Sequence, residues 1–235
     1  LKDPKQPGFQ AKQQWFEQRY REGLRLKILR DENQRPLGFI EYVPAAQAWR
    51  PLQAPGYLFI HCLMVYAGAD KGQGHGSHLI EVCRNEAVRQ QLAGVVTMTS
   101  KGSWMASKQL FLKLGFHEVA EQDRFQLLAW KRDPQAKDPH LLDWRAQQSR
   151  FQGWHLVVAH QCPWHAKAIA ALRKTAGEHG IDLEVHVLES SAAARQAPSG
   201  FGVFSLLHQG RLLADHYISA TRFRNIIRAE QTRES

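Results

Sequence analysis

The sequence is poor in cysteine and contains no long apolar run. Its 235 residues include three cysteines, Cys62, Cys83 and Cys162, and their wide spacing is not that of a disulfide framework. This cysteine usage suits a reducing compartment, so we expect a cytoplasmic protein. No hydrophobic stretch reaches the ~18 residues that a membrane span requires, and no signal-peptide pattern is found, so we expect no membrane partner.

Runs of like charge are also missing. The chain has 31 Lys and Arg against 22 Asp and Glu, a formal net charge of +9, but the basic residues are scattered along it. No motif interleaves basic with aromatic residues, so we expect no nucleic-acid partner in spite of a sequence pI near 9.7. A basic surface that receives an anionic ligand is the better interpretation.

Hydrophobic patterning divides the chain into two α/β units joined by a connector at residues 135–150, which contains an Asp-Pro step and mixed charge. In the first unit, Leu24, Leu26 and Ile28 alternate with basic residues, which predicts a strand buried on one face. The nearly continuous apolar run Tyr57–Val65 predicts a central strand covered on both faces. The other predicted elements of this unit are strands at 37–43, 94–100 and 125–130 and helices at 9–22, from about 77, and at 107–114, the last ending at Gly115.

The second unit has the predicted order β-α-β followed by β-β-α. The sequence HLVVAH predicts a strand, and Ser219 is a candidate N-cap for the last helix. The remaining predicted elements are a helix at 163–179, a strand at 181–189, and two strands at 201–207 and 212–218 that flank a hairpin turn.

A glycine-rich turn, KGQGHGS at residues 71–77, leads directly into the helix of the first unit. Backbone N–H groups at a helix N-terminus are unpaired and attract phosphate, and glycine brings bare backbone close to phosphate oxygens. A tight strand-to-helix connection without a ligand remains the alternative. A Walker-type loop is excluded because no Gly-Lys-Ser/Thr ending is present, and a dinucleotide fold is disfavoured because no acidic residue follows ~20 residues later.

The surroundings of the turn resemble the GNAT superfamily of N-acetyltransferases. The first signature of that family is Gln/Arg-x-x-Gly-x-Gly/Ala at the start of a helix, and Lys71 stands at its lead position here. The second is Tyr-x-Lys-x-Gly-Phe, which matches FLKLGF at 111–116 with Phe111 in place of Tyr. The resemblance implies a mixed central sheet flanked by helices over residues 1–134. Members begin earlier in their sequences, so the first strand of the fold is expected either to be absent or to lie before Leu1.

The same resemblance implies that acetyl-CoA is the acetyl donor. Its pyrophosphate would bind at the turn formed by Lys71, Gly72, Gln73, Gly74, His75, Gly76 and Ser77. Its pantetheine arm, which carries two amides, would pair like an added strand with the free edge of the central strand at Leu63, Met64 and Val65. The acceptor would be an unidentified primary amine.

Acetyl transfer needs a neutral amine, a polarised carbonyl and a proton for the departing thiolate. The resemblance assigns the carbonyl contact to a backbone N–H at Val65 or its neighbour. Phe111 cannot donate a proton where the family often has Tyr, so Tyr66 and Tyr57 are candidate acids. Glu41 and His61 are candidate bases. The structural alternative for Glu41 is a solvated strand residue, and the structural alternative for His61 is a hydrogen-bonded core histidine.

Cys162 lies between the first strand of the second unit and a helix that begins with Pro163. This arrangement resembles the Cys-Pro-x-Cys site of the thioredoxin and glutaredoxin fold, with His165 in place of the second cysteine and Pro198 where that fold keeps a cis-proline. A helix N-terminus lowers a thiol pKa, and His160 and His165 would lower it further if charged. A metal site at these three residues lacks a fourth ligand, so we expect no metal.

The pairing of the two units resembles the YoaP-like acetyltransferases. Residues 1–134 are then the acetyltransferase domain, 135–150 the linker and 151–235 a small thioredoxin-like α/β domain. The predicted function is acetyl-CoA-dependent N-acetyl transfer by direct attack of a primary amine. The alternative is a Cys162 thiol module, redox or binding, whose first domain senses acyl-CoA. A homo-oligomer is compatible with either function.

Overall fold

The computed structural model describes residues 5–66, 68–102 and 104–234. The chain forms two compact units whose boundary does not follow the order of the sequence. The sheet unit comprises residues 19–48 and 52–142. The C-terminal unit comprises the described residues up to Gln18, the segment Trp49–Pro51 and the described residues from Asp143 onwards. Two short pieces of the predicted first domain therefore pack within the C-terminal unit.

One six-stranded mixed sheet forms the centre of the sheet unit. Its strands are β1 (Arg25–Arg30), β2 (Pro36–Pro44), β4 (Tyr57–Val65), β5 (Gly94–Ser100), β6 (His117–Gln122) and β7 (Phe125–Lys131), in the spatial order β1-β2-β4-β5-β7-β6. Strands β4 and β5 are parallel, and the other described pairs are antiparallel. A separate ladder joins β3 (Leu52–Gln53) to β8 (His140–Leu141). This arrangement confirms the predicted mixed α/β fold.

Helix α2 (His75–Arg89) covers one face of this sheet. Its apolar residues Leu79, Ile80 and Cys83 are buried in one cluster with Ile40 of β2 and Ile60 of β4. Each fully buried aliphatic side chain of this kind contributes about 1.5–3 kcal/mol. Leu79 and Cys83 are four positions apart, the spacing that places two side chains on one face of a helix.

Strand β1 differs from its prediction in burial. Leu24, which precedes the strand, is fully buried, but Leu26 is 36% exposed and Ile28 is 44% exposed. Strand β1 lies at the edge of the sheet, and alternation along an edge strand does not specify whether anything covers its apolar face. The predicted burial of Leu26 and Ile28 is wrong.

Helix α3 (Lys108–Leu112) is shorter than the predicted 107–114, and a turn at residues 113–115 separates it from the predicted stop at Gly115. Gly115 has φ +79°, in the left-handed region that glycine adopts without strain, and the amide of Phe116 donates to the carbonyl of Phe111. Helix α1 (Pro7–Arg21) is also present, but residues 7–18 of it belong to the C-terminal unit. No helix among the described residues has both the length and the apolar composition that crossing a membrane would require.

A four-stranded sheet forms the C-terminal unit. Its elements are β9 (Trp154–Val158), α4 (Pro163–Glu178), β10 (Leu183–Val187), α5 (Ser191–Arg195), β11 (Phe204–His208), β12 (Arg211–Ala214) and α6 (Ala220–Glu234). The spatial order is β10-β9-β11-β12, with β9 and β10 parallel and the other pairs antiparallel. The predicted β-α-β and β-β-α order is confirmed, and the short helix α5 was not predicted.

The predicted signals of the C-terminal half have mixed outcomes. The β11–β12 hairpin turns through Gln209 (φ +48°) and Gly210 (φ +70°), as a two-residue turn with two left-handed positions requires. The amide of Arg222 donates to the hydroxyl of Ser219 at 3.2 Å, which confirms the predicted cap. No peptide bond of the described residues is cis, so Pro198 lacks the geometry that the thioredoxin resemblance implies.

Two N-terminal pieces pack closely within the C-terminal unit. The Trp15 and Trp49 rings meet edge to face with centroids 5.1 Å apart, and both residues are buried. A Cβ on Gly8 would lie 2.1 Å from the carbonyl oxygen of Pro163, so only glycine allows α1 to approach the start of α4 this closely. Long-range packing of this kind leaves no local signal in the sequence.

Candidate functional site

The predicted glycine turn lies between β4 and α2 and adopts conformations that only glycine tolerates easily. Gly72 and Gly74 both have φ +82°. Gly74 is the N-cap of α2 and has no side chain with which to cap the helix. A Cβ built on Gly72 or Gly74 would meet nothing within 4 Å, so the space above the turn is open to a ligand.

The first turn of α2 presents unpaired donors to this space. The first hydrogen bond of the helix runs from the amide of His78 to the carbonyl of Gly74, at 2.9 Å. The amides of His75, Gly76 and Ser77 precede it and therefore have no acceptor within the helix. They lie at the positive end of a 15-residue helix, and the exposed side chain of Lys71 adds a positive charge beside them. This geometry suits a phosphate group.

An ion pair that the sequence did not predict fixes the segment before the turn. The guanidinium of Arg35, in the β1–β2 loop, donates two hydrogen bonds to the carboxylate of Asp70, each 3.1 Å long. Asp70 is buried, and it raises the pKa of Arg35, with Asp31 adding to the effect. Arg35 neutralises a carboxylate that would otherwise repel a phosphate. The two residues are 35 positions apart, so no local pattern connects them.

Strands β4 and β5 separate beside the turn. Their pairing runs from Tyr57–Gly94 to Ile60–Thr97, and the hydroxyl of Thr97 donates to the carbonyl of Ile60 at 3.3 Å. Beyond this point β4 continues to Val65, paired on its other side with β2. The predicted pantetheine residues Leu63, Met64 and Val65 therefore lie on the part of β4 that β5 does not cover.

Glu41 and His61, the predicted bases, are brought together on the sheet. Oε1 of Glu41 lies 3.6 Å from Nδ1 of His61, and both side chains are almost completely buried. The ring of His61 also packs edge to face on Phe59, with centroids 5.3 Å apart. The structural alternative of a solvated Glu41 is wrong, since it pairs in register with Cys62 in the middle of the sheet.

The candidate acids differ in how accessible they are. Tyr66 follows β4 and is 48% exposed, and burial of part of its ring raises its pKa, so its hydroxyl stays protonated at neutral pH. The Tyr57 hydroxyl already donates to the carbonyl of Lys137 at 3.0 Å, and Tyr57 is buried. Phe111 is buried against Phe116, which agrees with a structural role at that position. Of the two tyrosines, Tyr66 is the one that a substrate can reach.

Cys162 occupies the predicted position at the start of α4. It is the N-cap residue, with Pro163 in the first turn, and it is partly exposed. His165 is buried, its Nδ1 bonds the carbonyl of Ala159 at 2.7 Å, and burial lowers its pKa to about 4. Burial also lowers the pKa of His160. Both rings are neutral at pH 7, so the positive charge that would activate Cys162 is not supplied by them.

Comparison with known proteins identifies relatives of the chain. Residues 2–116 match the Acetyltransferase (GNAT) family. The uncharacterised N-acetyltransferase YoaP of Bacillus subtilis (strain 168) is 28% identical over 220 residues, which cover 92% of this chain and 86% of that protein.

Solved structures also align with about half of the chain. A ribosomal-protein-alanine N-acetyltransferase from Brucella melitensis is 22% identical, covers 57% of this chain and 78% of its own, and has a TM-score of 0.40. A GNAT-family acetyltransferase from Listeria monocytogenes 4b F2365 is 16% identical to this chain. The alignment covers 49% of this chain and 69% of the Listeria chain, with a TM-score of 0.41.

Proposed function

We propose that the chain is an acetyl-CoA-dependent N-acetyltransferase, as its similarity to the GNAT family over residues 2–116 and to YoaP indicates, and that a primary amine attacks the thioester directly. The amine nitrogen forms a bond to the thioester carbon, and the bond from that carbon to sulfur breaks. One proton leaves the amine and one is taken up by the thiolate, so no redox partner is needed.

We propose that residues 71–77 hold the pyrophosphate of acetyl-CoA. The observation that carries this assignment is the open space above Gly72 and Gly74, next to the unpaired amides of the first turn of α2. A phosphate there would accept hydrogen bonds from the backbone and gain from the helix dipole. Lys71 would add a charge-assisted contact from the rim of the turn.

The pantetheine arm is proposed to lie along Leu63, Met64 and Val65. Support comes from the end of the β4–β5 pairing at Ile60, after which β4 is paired with β2 on one side and has no described partner strand on the other. An arm with two amides can exchange hydrogen bonds with such an edge as an added strand does. The register between β2 and β4 shifts between Glu41 and Tyr42. The thioester would then lie near the β4 residues that follow this irregularity.

Three side chains are proposed to move protons in the reaction. Tyr66, whose ring is 48% exposed, carries a hydroxyl proton that it could give to the departing thiolate. Glu41 and His61 form a buried pair that is suited to accept the proton of the amine, through water where the amine does not reach them directly. The loops around the site would determine which amine is bound.

Calorimetry with acetyl-CoA tests this function. Gly74→Val should raise Kd at least about tenfold, about 1.4 kcal/mol, because the side chain enters the open space and the φ of +82° is lost. Gly180→Val is a matched control, since Gly180 also has a positive φ, +65°, and open space around its Cβ position. Equal Kd values for Gly74→Val and the parent chain would remove the phosphate assignment.

We also propose that the C-terminal unit is thioredoxin-like. Its support is the strand order β10-β9-β11-β12, with β9 and β10 parallel, and the position of Cys162 before α4. The trans peptide at Pro198 and the neutral His160 and His165 do not favour a thiol reaction, so we propose the fold for this unit and no second activity.

A further inference from the structure

Three metal-ligating side chains meet on one face of the C-terminal sheet. His155 lies on β9, and Glu184 and His186 lie two residues apart on the neighbouring strand β10. The two strands are parallel, and His155 and Glu184 are direct partners in the register. Because side chains of a strand alternate between faces, Glu184 and His186 point to the same side of the sheet as each other. The three groups project to the face opposite α4, whose His165 packs on the β11 residue Phe204.

The distances between the ligand atoms match those around one metal ion. Nδ1 of His155 lies 3.0 Å from Nε2 of His186. Oε2 of Glu184 lies 3.4 Å from Nδ1 of His155, and Oε1 of Glu184 lies 3.3 Å from Nε2 of His186. An ion ~2.1 Å from each ligand would set ligand–ligand distances of about 2.9 to 3.4 Å, depending on whether it is octahedral or tetrahedral.

A hydrogen bond orients His155 as a metal ligand. Its Nε2 faces the carbonyl oxygen of Gln152, which can only accept, so Nε2 carries the ring proton and donates it. Nδ1 is then left with a lone pair, aimed at His186 and Glu184. Metal-binding histidines commonly use their second nitrogen in this way to fix the tautomer and the ring orientation.

The cluster opens into a cleft that leaves room for further ligands. The cleft has a volume of about 390 Å³ and is lined by Phe151, by Ala193 of α5 and by Pro198, among others. The ring of Phe151 packs edge to face on both His155 and His186, at 5.4 and 5.6 Å. Arg150, a further lining residue, supplies a positive charge that would suit an anionic ligand bound to the ion.

We propose that His155, Glu184 and His186 bind a divalent transition-metal ion, with Zn²⁺ as the probe of choice. Two imidazoles and one carboxylate suit zinc and its neighbours and disfavour Mg²⁺ and Ca²⁺, which prefer oxygen ligands. The remaining coordination positions face the cleft and are open to water or an anion. No metal was predicted from the sequence, where only ligands close together in the chain were weighed, at His160, Cys162 and His165. The two histidines of the present site are 31 residues apart.

Zinc titration of the full chain, after removal of metal with a chelator, tests the proposal. We expect one equivalent of Zn²⁺ to bind in competition with a chromophoric chelator and to raise the Tm of the chain. His186→Ala and Glu184→Ala should each weaken binding at least about tenfold and reduce the rise in Tm. Both side chains are partly exposed, so neither change removes a buried core group.

Two controls separate this site from other ligands. His216→Ala removes a histidine of the same unit that contacts the carboxylate of Asp215. Among the described residues, His216 belongs to no group of three metal-ligating side chains. The zinc affinity of this variant should match that of the parent chain. Co²⁺ in place of Zn²⁺ should give ligand-field bands without a sulfur charge-transfer band. Failure to bind Zn²⁺, unchanged affinity in His186→Ala, or cobalt–sulfur bands would each overturn the proposal. Circular dichroism of the metal-free variants checks that they are folded.

Discussion

The carboxylate of Asp70 lies just before the glycine turn, and the guanidinium of Arg35 neutralises its charge. Removing the guanidinium leaves a buried carboxylate close to the proposed pyrophosphate. Arg35 is 55% exposed at its side chain, so solvent screens part of the interaction. We expect Arg35→Ala to raise the Kd for acetyl-CoA severalfold, measured by calorimetry.

Arg35→Lys should recover only part of this loss, because an ammonium cannot donate two parallel hydrogen bonds to one carboxylate. Arg89→Ala is the control, since Arg89 forms a surface ion pair with Glu86 on the same helix as the turn, near its other end. If Arg35→Ala and Arg89→Ala have the same Kd as the parent, Arg35 does not position the turn.

His165 makes the stability of the C-terminal unit depend on pH. Burial lowers its pKa from an ordinary value of 6.5 to about 4. Between these values the unfolded chain binds more protons than the folded chain, so stability is lost as pH falls from 6.5 towards 4, by up to about 3 kcal/mol. His165→Gln keeps a donor for the carbonyl of Ala159 but cannot titrate, and it should lose less stability over this range.

Urea unfolding of the parent and of His165→Gln between pH 7 and pH 4.5 measures this difference in stability. Hydrogen exchange of the β9 and β11 amides, in a separate experiment, shows whether the difference lies in the C-terminal unit. His216→Gln, a change at a partly exposed histidine of the same unit, should keep the pH dependence of the parent. Equal pH slopes for the parent and His165→Gln would mean that His165 protonates in the folded chain as an ordinary histidine does.

At the level of elements, local sequence patterns predicted the strands and helices well and their surroundings poorly. Gly115, Ser219 and the Gln209–Gly210 turn act through the backbone of their immediate neighbours, so their signals can be recognised in the sequence. The exposure of Leu26 and Ile28 depends on what covers an edge strand, which alternation does not encode. Helix α5 has five residues, too few to show a helical period, and no glycine follows it closely as Gly115 follows α3.

The candidate sites divide in the same way. The glycine turn is one continuous segment, and its conformation follows from its own residues. Arg35 and Asp70 meet only because β1, β2 and β4 are neighbours in the sheet, and His155 meets Glu184 and His186 only because β9 pairs with β10. Such sites are defined by strand pairing, so a single sequence gives the residues but not their proximity.

At the scale of the whole molecule, the chain returns to the C-terminal unit with the segment Trp49–Pro51 before it completes the sheet unit. Arg50 is buried there, where it donates to Gln161 at 3.0 Å, and its guanidinium lies over the ring of Phe201. A Cβ on Gly202 would lie 2.8 Å from the carbonyl oxygen of Trp49, so the segment fits against glycine backbone. The C-terminal unit therefore includes residues that precede Trp154, the start of its first strand, by more than 100 positions.

Trp49→Ala tests whether this segment stabilises the C-terminal unit. Trp49 is 1% exposed and packs on Trp15, so its truncation should cost the unit about 3–5 kcal/mol. Amides of β9 and β11 should then exchange faster with deuterium, while Kd for acetyl-CoA at the glycine turn should stay that of the parent. Trp164→Ala removes a ring of the same unit that is 37% exposed, and its effect should be within about 1 kcal/mol. Unchanged exchange in Trp49→Ala would show that the packing of Trp49 does not stabilise the C-terminal unit.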